Sequence, residues 1–176
     1  MKLSVVFLLV LIGFSQNDPE RIPWSESRKL TWDDFKARAQ PGADYVASTS
    51  SGISFSLSYA EENGRSKVDY SVVSFFNPEK SWYKVDRVSA HILNHEQTHF
   101  NITELFARKL RKRLATHQFT INAKKEANIL YQEIEQQRQE MQHKFDAETD
   151  HSRDIEKELY WESYIVKQLA AHDSWK

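Results

Sequence analysis

Residues 95–110 read His95-Glu96-Gln97-Thr98-His99-Phe100-Asn101-Ile102-Thr103-Glu104-Leu105-Phe106-Ala107-Arg108-Lys109-Leu110, and the first five decide how the rest is read. Val88, Ile92, His95, His99, Ile102 and Phe106 follow one another at steps of three and four, which predicts one face of a helix ending near Leu114. Residues four apart on a helix lie one turn apart and about 40° round the axis. Two imidazoles so placed can converge on one zinc ion at about 2 Å each. Glu96, about 100° round from His95, stands beside such a metal, where it can take a proton from a water the metal has acidified. Five residues thus offer two ligands and a general base. A single histidine on an apolar face is usually a hydrogen-bonded core residue. Two at this spacing, with a glutamate between them, favour a metal.

The helical period continues downstream. A second helix is expected from about Ile121 to Phe145, with Ala123, Ala127, Leu130, Ile134 and Met141 on its stripe. A third runs from about Ser152 to Ala171, carrying Ile155, Leu159, Ile165, Val166 and Leu169. Upstream the period is two. Ile53, Phe55, Leu57 and Tyr59 alternate with serines, and Val68, Tyr70 and Val72 repeat the pattern beyond Asn63-Gly64, a strong turn signal. Ser81–Val85 is a further short strand candidate, and Leu30–Phe35 a short segment that Thr31 or Asp33 can cap. The fold class expected is α+β, a small antiparallel sheet in residues 24–85 followed by three long helices in residues 86–172.

Met1-Lys2, an apolar run from Leu3 to Phe14 and the polar Ser15–Pro19 have the anatomy of a secretory leader, so residues 1–16 are expected to be removed and 17–176 to form one domain. A secreted or periplasmic protein with no membrane span follows. With no cysteine in 176 residues, it must be held by its core or by a metal. Basic and acidic residues nearly balance, 24 against 25, so no global field points to nucleic acid.

A catalytic zinc takes a third protein ligand and keeps one position open. His151 is the first candidate, because it stands in a polar break between helices, from which a side chain can be aimed at a neighbour. Glu148, Asp146 and Asp150 are its rivals, each also able to orient a ligand from outside. His117 reads as a surface or capping residue and Glu104 as a salt-bridged or solvated one; His91, His143 and His172 have no spacing that recommends them.

The run 95–110, the Leu30-Thr31-Trp32-Asp33-Asp34-Phe35 stretch, Ser81-Trp82 and the segment Phe145-Asp146-Ala147-Glu148-Thr149-Asp150-His151 together resemble a family of bacterial secreted proteins described as zinc-dependent proteases. The chain departs from that pattern in Phe145, where tyrosine is commoner, and in Ser152, where glycine is commoner. The resemblance implies a zincin-like fold, peptidase activity on a peptide or protein substrate, and His151 as third zinc ligand beside His95 and His99.

The function expected is therefore a zinc-dependent metallopeptidase in which Glu96 activates water. Tyr160, Tyr164 and Arg153 are candidate donors to the oxyanion, and Ser81–Val85 a candidate edge on which substrate adds as a strand. Two other classes compete: a zinc-binding but inactive module mediating protein interaction at the cell envelope, and a helical interaction protein that uses the Ala123–Met141 stripe as an intermolecular seam.

Overall fold

The computed structural model describes residues 20–62 and 65–176 and, of residues 61, 62 and 65–67, the backbone alone. The expected leader and the Asn63-Gly64 turn lie outside the described residues. Among the described residues, five strands form two sheets: β1 (Ile22–Pro23), β2 (Ala47–Ser48), β3 (Ser51–Glu62), β4 (Arg65–Phe76) and β5 (Trp82–Tyr83). The alternating segments become an antiparallel hairpin, β3 and β4, in continuous register from Ser51↔Phe76 to Glu62↔Arg65. Ser54, Ser56 and Ser58 face solvent, while Ile53, Phe55 and Leu57 turn to the core, as a period of two requires. β1 extends the hairpin to a three-stranded sheet in the order β1-β4-β3. β5 does not join it. It pairs with β2 in a separate two-stranded sheet, Ala47↔Tyr83 and Ser48↔Trp82.

Three helices follow: α1 (Ala90–Thr116), α2 (Ala123–Glu148) and α3 (Ile155–Ala171). Ser89 starts α1 by accepting a hydrogen bond from the Ile92 N–H. The protein is thus α+β with small antiparallel sheets and three helices, and α1 carries residues 95–99. None of the described helices is long and apolar enough to cross a membrane.

α1 differs from the single-faced helix expected. It lies between the sheet on one side and α2 and α3 on the others, so Glu96, Gln97, Thr98, Thr103, Glu104, Leu105, Ala107 and Arg108 are buried along with His95, Ile102 and Phe106 of the predicted stripe, while Ile92 and His99 are half-buried and Val88 precedes the helix. Its buried polar residues other than Glu96 are matched inside. Glu104 accepts from Ser74 and from both Arg108 and Arg111, whose guanidinium groups also reach the Val72, Leu169 and Trp175 carbonyls. Removing one partner of such a buried pair costs about 3–5 kcal/mol, so this network ties the C-terminus to the sheet through α1. His117 is the C-cap of α1, in line with the capping reading.

The α2 stripe of Ala123, Ala127, Leu130 and Ile134 is buried against α1 and β3 within the chain and is therefore spent on the fold rather than on an intermolecular seam. α3 is rotated from its expected phase. Ile155, Leu159 and Val166 are about 60% exposed, and the buried face is Glu158, Trp161, Ile165 and Leu169.

Candidate metal centre

α1 sets His95 and His99 one turn apart, with ring centroids 4.8 Å apart and nearly perpendicular. The fully buried Phe145 of α2 stacks on His95 and meets His99 edge-on, so the imidazoles have little freedom to rotate. Each ring is also held at its Nδ1. The carboxylate of Glu158, on α3 and 0% exposed, accepts from His95 Nδ1 at 3.0 and 3.1 Å. Gln142 of α2 donates through Nε2 to the His99 carbonyl and to Thr103 Oγ1, which turns its Oε1 to accept from His99 Nδ1. With Nδ1 protonated in both rings, both Nε2 lone pairs point into one space.

The carboxylate of Asp146 closes that space. Its Oδ1 lies 3.2 Å from His95 Nε2 and 2.9 Å from His99 Nε2, and the two Nε2 atoms are 3.2 Å apart. Three acceptor atoms at these distances repel one another unless a metal ion, or in its place a proton on an imidazole, sits between them. A tetrahedral ion with ligand bonds of about 2.0–2.1 Å would separate its ligand atoms by about 3.3 Å, close to the triangle seen. Among the described residues, His95, His99 and Asp146 form the group able to hold a metal ion.

The electrostatics agree. Burial opposes charge on His95, but the hydrogen bonds it donates to Asp146 and Glu158 and the nearby Glu96 charge outweigh it, raising the pKa from 6.5 to about 9 in the metal-free protein. Burial likewise opposes charge on Asp146, yet the His95 and His99 hydrogen bonds and charges hold its carboxyl well below the usual range. The raised His95 value adds stability that is fully present below 6.5 and is lost as pH rises through about 9. The depressed Asp146 value adds stability that is present above 3.8 and is lost as pH falls below it.

Glu96 stands beside the triangle, 3% exposed, with its Oε2 buried and unpaired. Glu96, His95, His99, Asp146, Ile92, the segment Tyr45–Thr49, His151 and Ser152 line a cleft of about 220 Å³. No lysine or arginine is among these residues.

His151, the first choice for third ligand on sequence grounds, stands outside the triangle. Its Nδ1 is 3.8 Å from Asp146 Oδ1, its side chain is 49% exposed, and its ring stacks on Tyr45. The reason is where α2 ends. The helix runs on to Glu148, so Asp146 remains on the face of Gln142 and Phe145 that meets α1, whereas His151 falls in the turn beyond. Of its other rivals, Glu148 accepts from Trp161 Nε1 and Asp150 pairs with Arg153. The expected oxyanion donors also lie elsewhere: Tyr160 and Tyr164 line a separate groove with Lys109 and Lys144, and Arg153 contacts Asp150 and the Asp44 carbonyl. The strand at the cleft is β2, with β5 on its far side.

Sequence reasoning passed over Glu158, Gln142 and Tyr45. Glu158 was detectable, because an acid in line with Trp161, Ile165 and Leu169 at helical spacing on a buried face needs a partner. Tyr45, in an irregular loop, left no pattern.

The turn after α2 is strained. Asp150, His151 and Ser152 have φ values of 47°, 52° and 69°, in the left-handed region. Such a conformation costs a non-glycine residue about 1–2 kcal/mol, more than the roughly 0.5–1 kcal/mol of chain entropy that glycine adds. Ser152→Gly is therefore expected to stabilise the protein by about 0.5–1 kcal/mol, raising Tm by about 2–4 °C per kcal/mol for a chain of this size. Thermal unfolding of the metal-free protein measures this, and a lowered Tm would refute the strain.

No curated protein and no solved structure matches the chain. A family model matches residues 28–152, a stretch that contains every side chain lining the cleft and stops before Glu158. The match spans most of the chain, which therefore belongs to the bacterial protein family of unknown function DUF922.

Proposed function

We propose that the protein is an exported zinc-dependent hydrolase that cleaves peptide bonds. The observation that carries this reading is the triangle of three acceptor atoms, His95 Nε2, His99 Nε2 and Asp146 Oδ1, with both histidines held at their far nitrogens. Two imidazoles and one carboxylate suit zinc, and three protein ligands leave a position open. When bound, zinc lowers the pKa of water and polarises a carbonyl. Glu96 takes the proton from the attacking water and passes it to the leaving amine. An inactive zinc-holding module would have no use for the unpaired buried Oε2 of Glu96.

Substrate has a strand to pair with. The Lys84 N–H donates to the Val46 carbonyl, so Val46 and Ser48 bond to β5, and the Ala47 N–H and C=O point to the opposite edge. An extended peptide pairing there would lie along the cleft wall formed by Tyr45–Thr49.

Metal-free protein is expected to take up one zinc per chain and then to turn over casein or mixed peptides. Because zinc must displace the proton on His95, apparent affinity should rise about tenfold per pH unit and level off above about 9, where the ring is already neutral. Titration with zinc across that range is the test. No uptake at any pH would overturn the reading.

A further inference from the structure

His151 combines three features that a surface histidine has no reason to share. It occupies the middle of three left-handed residues, a conformation the fold must hold against strain. The turn is pinned on several sides: the buried Thr149 donates to the Phe145 carbonyl, the Arg153 and Asp154 N–H groups both donate to the Thr149 carbonyl, and His91 Nε2 donates to the Ser152 carbonyl. Finally, the imidazole so positioned lines the cleft with no hydrogen-bond partner among the described residues, its Nδ1 lying 3.8 Å from Asp146 Oδ1.

What the ring does touch is Tyr45, at 6.2 Å between centroids and 22° between planes. Tyr45 also stacks on the buried Trp82, at 5.4 Å and 27°. The row Trp82, Tyr45, His151 therefore runs from β5 to the turn after α2 and keeps the imidazole off the metal triangle.

The chemistry of the cleft needs a donor in this place. As the water oxygen bonds to the carbonyl carbon, the π pair of the carbonyl moves onto its oxygen, and Glu96 takes the water's proton. Collapse then restores the carbonyl, breaks the C–N bond and sends that proton to the leaving amine. Between these events the oxyanion stands in a cleft that already holds the carboxylates of Glu96 and Asp146 and no lysine or arginine. Among the described residues lining the cleft, His151 is the one nitrogen-bearing side chain apart from His95 and His99. Thr49 is already engaged with the Glu96 carbonyl.

We propose that His151 is a catalytic residue that donates a hydrogen bond to the oxyanion, with Tyr45 as the positioning residue that holds its ring. The assignment rests on the zinc-hydrolase reading above. It separates His151 from the ligand set: the ring stabilises the intermediate through its N–H and transfers no proton.

The test uses two probes on zinc-loaded protein. Acetohydroxamate reports whether the metal has an open position. The phosphinic dipeptide of two alanines, whose tetrahedral phosphorus stands for the attacked carbon, reports the oxyanion donor. In His151→Ala, zinc and acetohydroxamate affinities should stay within about twofold. Affinity for the phosphinic dipeptide should fall by about 10²–10³-fold, as the loss of one oxyanion donor does to turnover. Tyr45→Ala should lose part of the same affinity, and Tyr45→Phe, which keeps the ring, should restore it.

A loss of zinc affinity of tenfold or more in His151→Ala would make the residue a ligand and overturn the proposal. So would an unchanged phosphinic dipeptide affinity in that variant, or a wild type that binds this probe no better than acetohydroxamate. If Tyr45→Phe behaves like Tyr45→Ala, the phenol rather than the stack acts, and the positioning role falls. Failure of acetohydroxamate to bind zinc-loaded wild type would instead remove the hydrolase reading itself, a result seen without any variant.

Discussion

Glu96→Ala is expected to keep one zinc per chain while losing peptide turnover by about 10²–10⁴-fold, the range a positioned general base supplies. The two effects separate because Glu96 shares the cleft with the metal triangle without belonging to it. Its neighbours on the helix, one position before and three after, are the two histidines able to hold a metal, and helical geometry turns its own carboxylate aside. The buried Oε2 has no hydrogen-bond partner among the described residues, so alanine strands no donor that was bonded to it. Metal content and turnover measured on the same preparation decide the matter. Retained zinc with retained turnover would mean that another group activates the water, and lost zinc would mean that Glu96 belongs to the metal site.

Asp146→Asn should have the opposite signature. It preserves the size of the side chain but removes the charge that draws His95 Nε2 and His99 Nε2 together at 3.2 and 2.9 Å. Zinc affinity should fall well beyond the roughly 10–100-fold that loss of an outer partner costs. Gln142→Ala and Glu158→Gln, which remove the groups holding the two Nδ1 atoms, set that outer-partner scale within the same protein. Competition with a chelator of known affinity gives the ranking. Unchanged zinc affinity in Asp146→Asn would remove the third ligand on which the centre is built.

These two residues also mark where the sequence stopped being sufficient. Glu96 was assigned its role from five contiguous residues, because a helix imposes its own angles on whatever it contains. For the third ligand, the spacing argument left Asp146, Glu148, Asp150 and His151 together, since only the packing of α2 on α1 determines which of them faces the histidines.

The same division runs through the rest of the molecule. Repeats of two and of three to four were enough for the β3–β4 hairpin and for all three helices, because those periods express backbone geometry that each segment carries alone. The faces the helices present were another matter. Ile155, Leu159 and Val166 of α3 were expected inside and lie outside, since Trp161 and the bond Glu158 accepts from His95 set the rotation. α1 was expected to bury one stripe and buries nearly all its faces, because sheet and helices enclose it. β2, two residues long, has too little chain to show a period and exists because β5 pairs with it. Spacing along the chain thus supplied the two histidines and the base. Asp146, 47 residues beyond His99, and Glu158, 63 beyond His95, came to the site only through tertiary packing. No local pattern records which distant surfaces will meet, since that depends on how all the buried faces are accommodated at once.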